Sequence, residues 1–165
     1  MATAVEIERV EVKNPEEKQV IIGQGNFTIF TCDDIFKSLL TAVPEIRCAV
    51  AMNEAVPRLT RVTGNDEGRK ELASENCLRI GASHTFFIML AKAYPLNVLN
   101  TLKLHPAVAN IYVASANPLD VIVAETKLGR AVLGVVDGAS VNRIETEEEK
   151  KERRELCVQL GYAVV

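Results

Sequence analysis

RIGASHTFFIML, residues 79–90, decides how the chain folds. Gly81 ends whatever precedes it, and Phe86, Phe87, Ile88, Met89 and Leu90 follow without a polar break. An apolar run that short, with no alternation, suits a strand buried on both faces at the centre of a sheet. The reading makes 84–91 the central strand and puts His84 at its first position. A buried imidazole has two ring nitrogens that both need partners. His84 is therefore either a structural histidine with satisfied hydrogen bonds or a chemical one.

Upstream of this strand, TGNDEGRKELASENCLRIG predicts a helix from about Asp66 to Arg79. Asn65 or Asp66 can cap it, Asp66 and Glu67 favour its positive end, and Gly81 suits the left-handed position after its last turn. Before that, IRCAVAM (46–52) reads as a buried strand running into Asn53 and Glu54, and PRLTRVT as a shorter, basic extended piece. Thr31 is placed to cap a helix carrying Ile35, Phe36, Leu39 and Leu40 at helical spacing, with Pro44 just beyond its end. VEIERVEV (5–12) alternates at period two, as a strand with one wet face does, and Val20 to Ile22 forms a second short strand.

Downstream, Pro95 can open a short helix, PLNVLNTLKL, that stops before His105-Pro106. Strand, helix, strand then suggests a right-handed parallel crossover into VANIYVAS. DVIVAET and RAVLGVVD follow across tight joints at Asn117-Pro118 and Lys127-Leu128-Gly129, which reads as a meander. ETEEEKKERRELCVQLGYAVV closes the chain as an amphipathic helix whose charge run is a solvated face. The expected fold is α/β: one domain over 1–165, with a mixed β-sheet, a C-terminal three-strand meander and flanking helices.

Composition narrows the function classes. With 165 residues, 48% apolar and 25% charged, the chain can bury a core without staples, and a net charge of -3 disfavours nucleic acid as a partner. No apolar stretch is long enough to span a bilayer, and MATAVEIERVEV is charged and alternating, unlike a signal peptide, so no membrane partner and a cytoplasmic location are expected. Cys32, Cys48, Cys77 and Cys157 form no close pair, which points to buried reduced thiols rather than zinc. The chain has no G-x-x-x-x-G-K-[ST] loop, no complete dinucleotide fingerprint at GQGNF, no G-x-S-x-G elbow and no metal-spaced histidine pair.

Counting strand directions sorts the polar residues to two sheet edges. One edge takes His84 with Glu125, Thr126, Lys127 and Arg130, joined by Asn53 and Glu54. The other takes Ser115, Asn117, Asp120 and Asp137, joined by Arg61, Asn65 and Asp66. A site using both groups would have to cross a subunit interface. Bland readings compete throughout: Asn117-Pro118 and Asp137-Gly138 are ordinary turns, Arg58 and Arg61 ordinary surface charge, and His105 a helix-end residue.

Five ordered strings carry a resemblance: RLTRVTGND at 58–66, RIGASHTFFIML at 79–90, PLNVLNTLK at 95–103, ASANPLDVIVAET at 114–126 and GRAVLGVVDG at 129–138. Over nearly its whole length the chain resembles the adenosine-specific kinase family. One departure is visible: Ser83 stands before the histidine where the family form has glycine. The resemblance implies a protein that binds adenosine or AMP, discriminates against ADP and ATP, and carries a phosphoryl group on a histidine, with His84 at the matching position. It also implies a homo-oligomer, a trimer, and leaves the phosphoryl donor open. No cofactor is required by it, although phosphoryl transfer can use Mg2+.

A neutral imidazole is a competent nucleophile near neutral pH. The ring's second nitrogen should donate to Glu54 or Glu125, and backbone N–H groups near Ser83 or the Lys127 cation should receive phosphoryl oxygens. Asn53, Glu54, Asp66, Ser83, Asn117, Glu125 and Lys127 are the candidate substrate-binding residues, and His84 is the candidate catalytic one. The alternative is a non-catalytic adenosine or AMP sensor using the same pocket without a reactive histidine.

Overall fold

Residues 4–162 are described by a computed structural model of the chain. Eight strands and four helices run in the order β1 (Glu6–Glu11), β2 (Gln19–Gly25), α1 (Cys32–Ala42), β3 (Arg47–Asn53), β4 (Thr60–Gly64), α2 (Glu67–Ile80), β5 (Thr85–Ala91), α3 (Pro95–Leu104), β6 (Val108–Ser115), β7 (Leu119–Glu125), β8 (Arg130–Asp137) and α4 (Glu147–Gln159). The α/β class is as the sequence indicates. Its strands form two antiparallel sheets, one of five strands ordered β4-β3-β5-β2-β6 and one of three ordered β1-β7-β8.

Local signals produce the elements where they were expected. The Thr31 side chain accepts from the Asp33 N–H, while the Asp34 carboxylate accepts from the Thr31 N–H, which closes a capping box on α1. Asp66 caps α2 by accepting from the Arg69 N–H, and Gly81 ends that helix at φ 68°, a conformation a side chain would strain. Pro95 sits in the first turn of α3, where its missing N–H costs nothing.

β5 lies at the middle of the larger sheet and buries both faces at period two. Phe86, Ile88 and Leu90 join Ile21, Val50 and Met52 under α1 and α3. Phe87 and Met89 join Val20, Ile22, Ala49 and Ala51 on the opposite face, under α2 and the inner face of the smaller sheet, which supplies Val10, Val121 and Val123. Burying such side chains stabilises by about 1.5–3 kcal/mol each, so the position of β5 is strongly determined.

Two details of strand arrangement differ from expectation. β5 and β6 do run in the same direction, but they are not neighbours, because β2 inserts between them and pairs antiparallel with both. Val20, Ile21 and Ile22 are fully buried on both faces, so β2 needs an interior place. β7 and β8 form the expected hairpin, whereas β6 belongs to the other sheet and β1 takes the third place beside β7. β1 has one wet face and only Val10 buried, which suits the edge of a sheet with one covered side.

α4 carries its own capping box, from Thr146 and Glu149, and buries none of its residues. Its Leu156 and Val158 stay more than half exposed, and the last three residues of the stretch read as this helix, 163–165, fall outside the described ones. Among the described residues no helix is long and apolar enough to cross a membrane.

Candidate functional site

His84 precedes β5 instead of opening it, in the turn that follows α2. Its backbone is left-handed, at φ 60°, a conformation uncommon for a residue with a side chain and concentrated at functional positions. Long-range hydrogen bonds hold it there: the His84 N–H donates to the Asn53 carbonyl at 2.9 Å, and the His84 carbonyl accepts from the Gly25 N–H at 2.8 Å. The ring, half-buried, meets Phe27 edge-on with centroids 6.2 Å apart. Among the described residues its nitrogens make no hydrogen bond. Ser83 keeps an ordinary negative φ, so serine in place of glycine is tolerated and the left-handed residue is the histidine itself.

Asn53 builds the surroundings. Only 6% exposed, it donates from Nδ2 to the Cys77 carbonyl at 2.8 Å and the Ala82 carbonyl at 3.0 Å, while its Oδ1 accepts from the Thr60 hydroxyl at 2.7 Å. One side chain thus ties the end of α2, the loop to His84 and the start of β4 to β3. A buried amide with all these partners is rigid, and each unmade bond would be expensive.

Beside this anchor lies a pocket of about 140 Å³ lined by Asn53, Glu54, Arg58, Leu59, Thr60, Gly81 and Ser83. Glu54 is 14% exposed in its side chain and pairs with Arg61, whose Nε is 2.7 Å from Oε2. That contact balances the charge of Oε2, which is itself buried, while the Glu54 residue lines the pocket. Arg61 therefore belongs to the His84 edge and not to the opposite one. The β3–β4 hairpin pairs Asn53 with Thr60 and Met52 with Arg61, which folds the basic segment back over the strand end.

Glu125 reaches the same edge through Arg130, which contacts Glu125 at 3.0 Å and Glu8 at 2.5 Å and donates to the Arg79 carbonyl at 3.2 Å. Neither Glu54 nor Glu125 is hydrogen-bonded to the imidazole, because each carboxylate has an arginine partner. Lys127 sits exposed in the β7–β8 turn. Asn117 and Asp137 meet at the opposite edge, as counted from strand directions: Asp137 Oδ1 accepts from Asn117 Nδ2 at 3.0 Å and from the Ser115 hydroxyl at 2.7 Å. Asp66 lies toward that edge too, one helix away from Gly81, a separation of about 20 Å for α2 at 1.5 Å per residue. There its carboxyl is held below the ordinary range, first by the Arg69 N–H it caps.

A larger open cleft of about 480 Å³ runs past Asn117, Lys13 and Asn14 at the second edge. Its one member of the Ser115, Asn117 and Asp137 group is already engaged within that group, whereas the smaller pocket lies beside His84. Three thiols are buried: desolvation pushes Cys32 up to about 11 and Cys48 to about 12, and raises Cys77 further. They are inert by chemistry as well as by access. Among the described residues no group of three His, Cys, Asp or Glu side chains is gathered as a protein-held metal would need.

Arg58 and Arg61 are exposed, as surface charge is, but sequence reasoning did not anticipate that Arg58 lines the pocket and Arg61 pairs with Glu54. The signal was the closeness of Asn53 and Thr60, which a hairpin must bring together.

Fold and site together define a small α/β protein with a polar pocket beside a histidine at one edge of its main sheet. A family model described as adenosine specific kinase matches residues 10–163, and the chain belongs to that family. It is also similar to a solved structure, the PH1918 protein from Pyrococcus horikoshii OT3, at 60% identity and a TM-score of 0.93, over 98% of this chain and 100% of that one. No curated protein matches.

Proposed function

We propose that the protein binds adenosine or AMP and takes a phosphoryl group onto His84, selecting against ADP and ATP. The family description supports adenosine as the substrate and kinase as the class. The observation that carries the histidine is its state: backbone held in a left-handed turn from two sides, ring nitrogens without a partner among the described residues. A structural histidine is expected to have the reverse, a relaxed backbone and an engaged ring.

In the proposed step a ring nitrogen attacks phosphorus with its lone pair, and the bond from phosphorus to the donor's leaving oxygen breaks. The other ring nitrogen loses its proton to solvent or carries it as the imidazolium until transfer onward. Phosphoryl oxygens would meet the Ser83 N–H, which makes no backbone hydrogen bond among the described residues. The Glu54 carboxylate, which lines the pocket, would accept from a nucleoside hydroxyl or amine. Magnesium would enter with the donor's phosphates, since one carboxylate plus phosphate oxygens is its usual protein environment. Asn117 and Asp66 stand too far from His84 to share its site within one chain. Their part in substrate binding requires a homo-oligomer, three copies by the family resemblance, that brings the second edge of one cytoplasmic chain to the first edge of another.

His84→Asn tests the reading. Asparagine tolerates left-handed backbone and keeps a polar side chain, but it has no ring nitrogen to accept phosphorus. Intact mass after incubation with labelled phosphoryl donors, with and without adenosine, should show phosphate on the unmutated chain and none on the variant, with adenosine affinity kept. Equal labelling of a folded variant would overturn the nucleophile. Adenosine binding with no labelling of either chain would leave a sensor.

A further inference from the structure

We propose that Arg58 is the anion-binding residue of this site, its guanidinium taking the phosphoryl oxygens of AMP; the inference rests on the adenosine and AMP reading above. The pocket beside His84 is too small for a whole nucleotide. At about 140 Å³ it falls well below the ~300 Å³ at which drug-sized ligand sites begin. It has room for a phosphoryl group, with the nucleoside extending outward from it. Its walls include Ser83, one residue from the histidine, and Asn53, whose carbonyl binds the His84 N–H.

The cations of this edge separate by what they already hold. Arg61 is paired with Glu54, Arg79 donates to the Glu11 carbonyl at 2.8 Å, and Arg130 joins Glu125, Glu8 and the Arg79 carbonyl. Arg58 lines the pocket and, among the described residues, has neither an ion pair nor a side-chain hydrogen bond. Lys127, the cation the sequence suggested for this task, is exposed like Arg58 but does not line the pocket.

Arg58 is also held in place. Its φ is 67°, rare for so bulky a residue, and the turn that carries it is closed by the Glu54 N–H on the Leu59 carbonyl at 2.8 Å. A guanidinium presents paired N–H groups that match two oxygens of one phosphoryl group. Arg61 offsets the Glu54 carboxylate, so Arg58 is the one cation of the lining left to pair with a phosphoryl group. Further phosphates on ADP or ATP would meet like charge, which gives the proposed selectivity a physical source.

Calorimetric titration with adenosine and with AMP decides it, on the unmutated protein and on Arg58→Gln and Arg58→Gly. The glycine variant relaxes the left-handed backbone and so guards against a folding defect, with thermal melting as the check. Both Arg58 variants should bind AMP about tenfold more weakly, as loss of a charge-assisted pair does, and adenosine unchanged. Equal weakening of AMP and adenosine would make Arg58 a structural residue and overturn the proposal, as would unchanged AMP affinity. If the unmutated protein binds neither ligand, the adenosine reading itself fails and takes this inference with it.

Discussion

The chain's two histidines sit in opposite kinds of surroundings. His105 caps α3: its N–H donates to the Leu102 carbonyl at 3.1 Å, its Nδ1 accepts from the Ala107 N–H at 3.1 Å, and its ring meets Phe30 edge-on at 5.4 Å. Burial lowers its pKa from the ordinary value, against the opposing pull of Asp34. His84 is positioned through its backbone by β2 and β3, residues distant in sequence, and its ring nitrogens are left open. A ring that serves the fold finds its partner within two residues. The His84 ring is held through its backbone and not through its nitrogens, and such holding depends on the whole sheet.

The sharpest way to break this contrast is to remove the anchor of the His84 loop. Asn53→Ala deletes two donors and leaves the Thr60 hydroxyl without its acceptor, so stability should fall by about 2–4 kcal/mol. Denaturant unfolding measures it, and phosphate capture per folded molecule should fall as well. A cost under about 0.5 kcal/mol, the scale of an ordinary surface change, would mean that the loop is held by something other than Asn53.

His105→Ala should cost about 1 kcal/mol, the scale of one lost hydrogen bond, and leave phosphate capture intact. Its pH dependence carries a sign. Because the folded pKa lies below the unfolded one, the unfolded chain takes the proton first as the pH drops. The ring's contribution is therefore full above the ordinary histidine range and declines as pH falls through it. Unfolding midpoints across neutral to mildly acidic pH should fall less steeply in the variant, and an unchanged slope would show that His105 is no more buried than a free histidine.

Ser83→Gly is the smallest expected effect. Ser83 has an ordinary backbone, so glycine only adds unfolded-state freedom and should lower stability by about 0.4–1 kcal/mol, with capture by His84 unaltered. Stabilisation by glycine would place strain at this position and weaken the contrast with His84.

Much of the fold was legible in local chemistry. Thr31, Asp66, Pro95 and Gly81 mark helix ends because capping and backbone preference act within a few residues. The buried run after His84 marked a central strand because an unbroken apolar segment has no other place in a sheet. Directions alone separated Asn117 and Asp137 from His84, and they meet as counted.

Strand partners were not legible. β2 enters between β5 and β6, and β1 leaves for the smaller sheet, because those choices depend on which faces remain uncovered after the rest of the chain has packed. Arg61 was assigned to the wrong edge for the same reason: its place follows from the β3–β4 register, not from its neighbours in sequence. By itself the sequence determined the elements, the central strand and the identity of the histidine beside it, since these rest on short-range sterics and hydrophobic patterning. Only the tertiary structure decided that this histidine has a left-handed backbone and an open ring, and that Glu54 and Arg58 line a pocket beside it, because hydrogen bonds between distant segments exist only once the sheet has assembled.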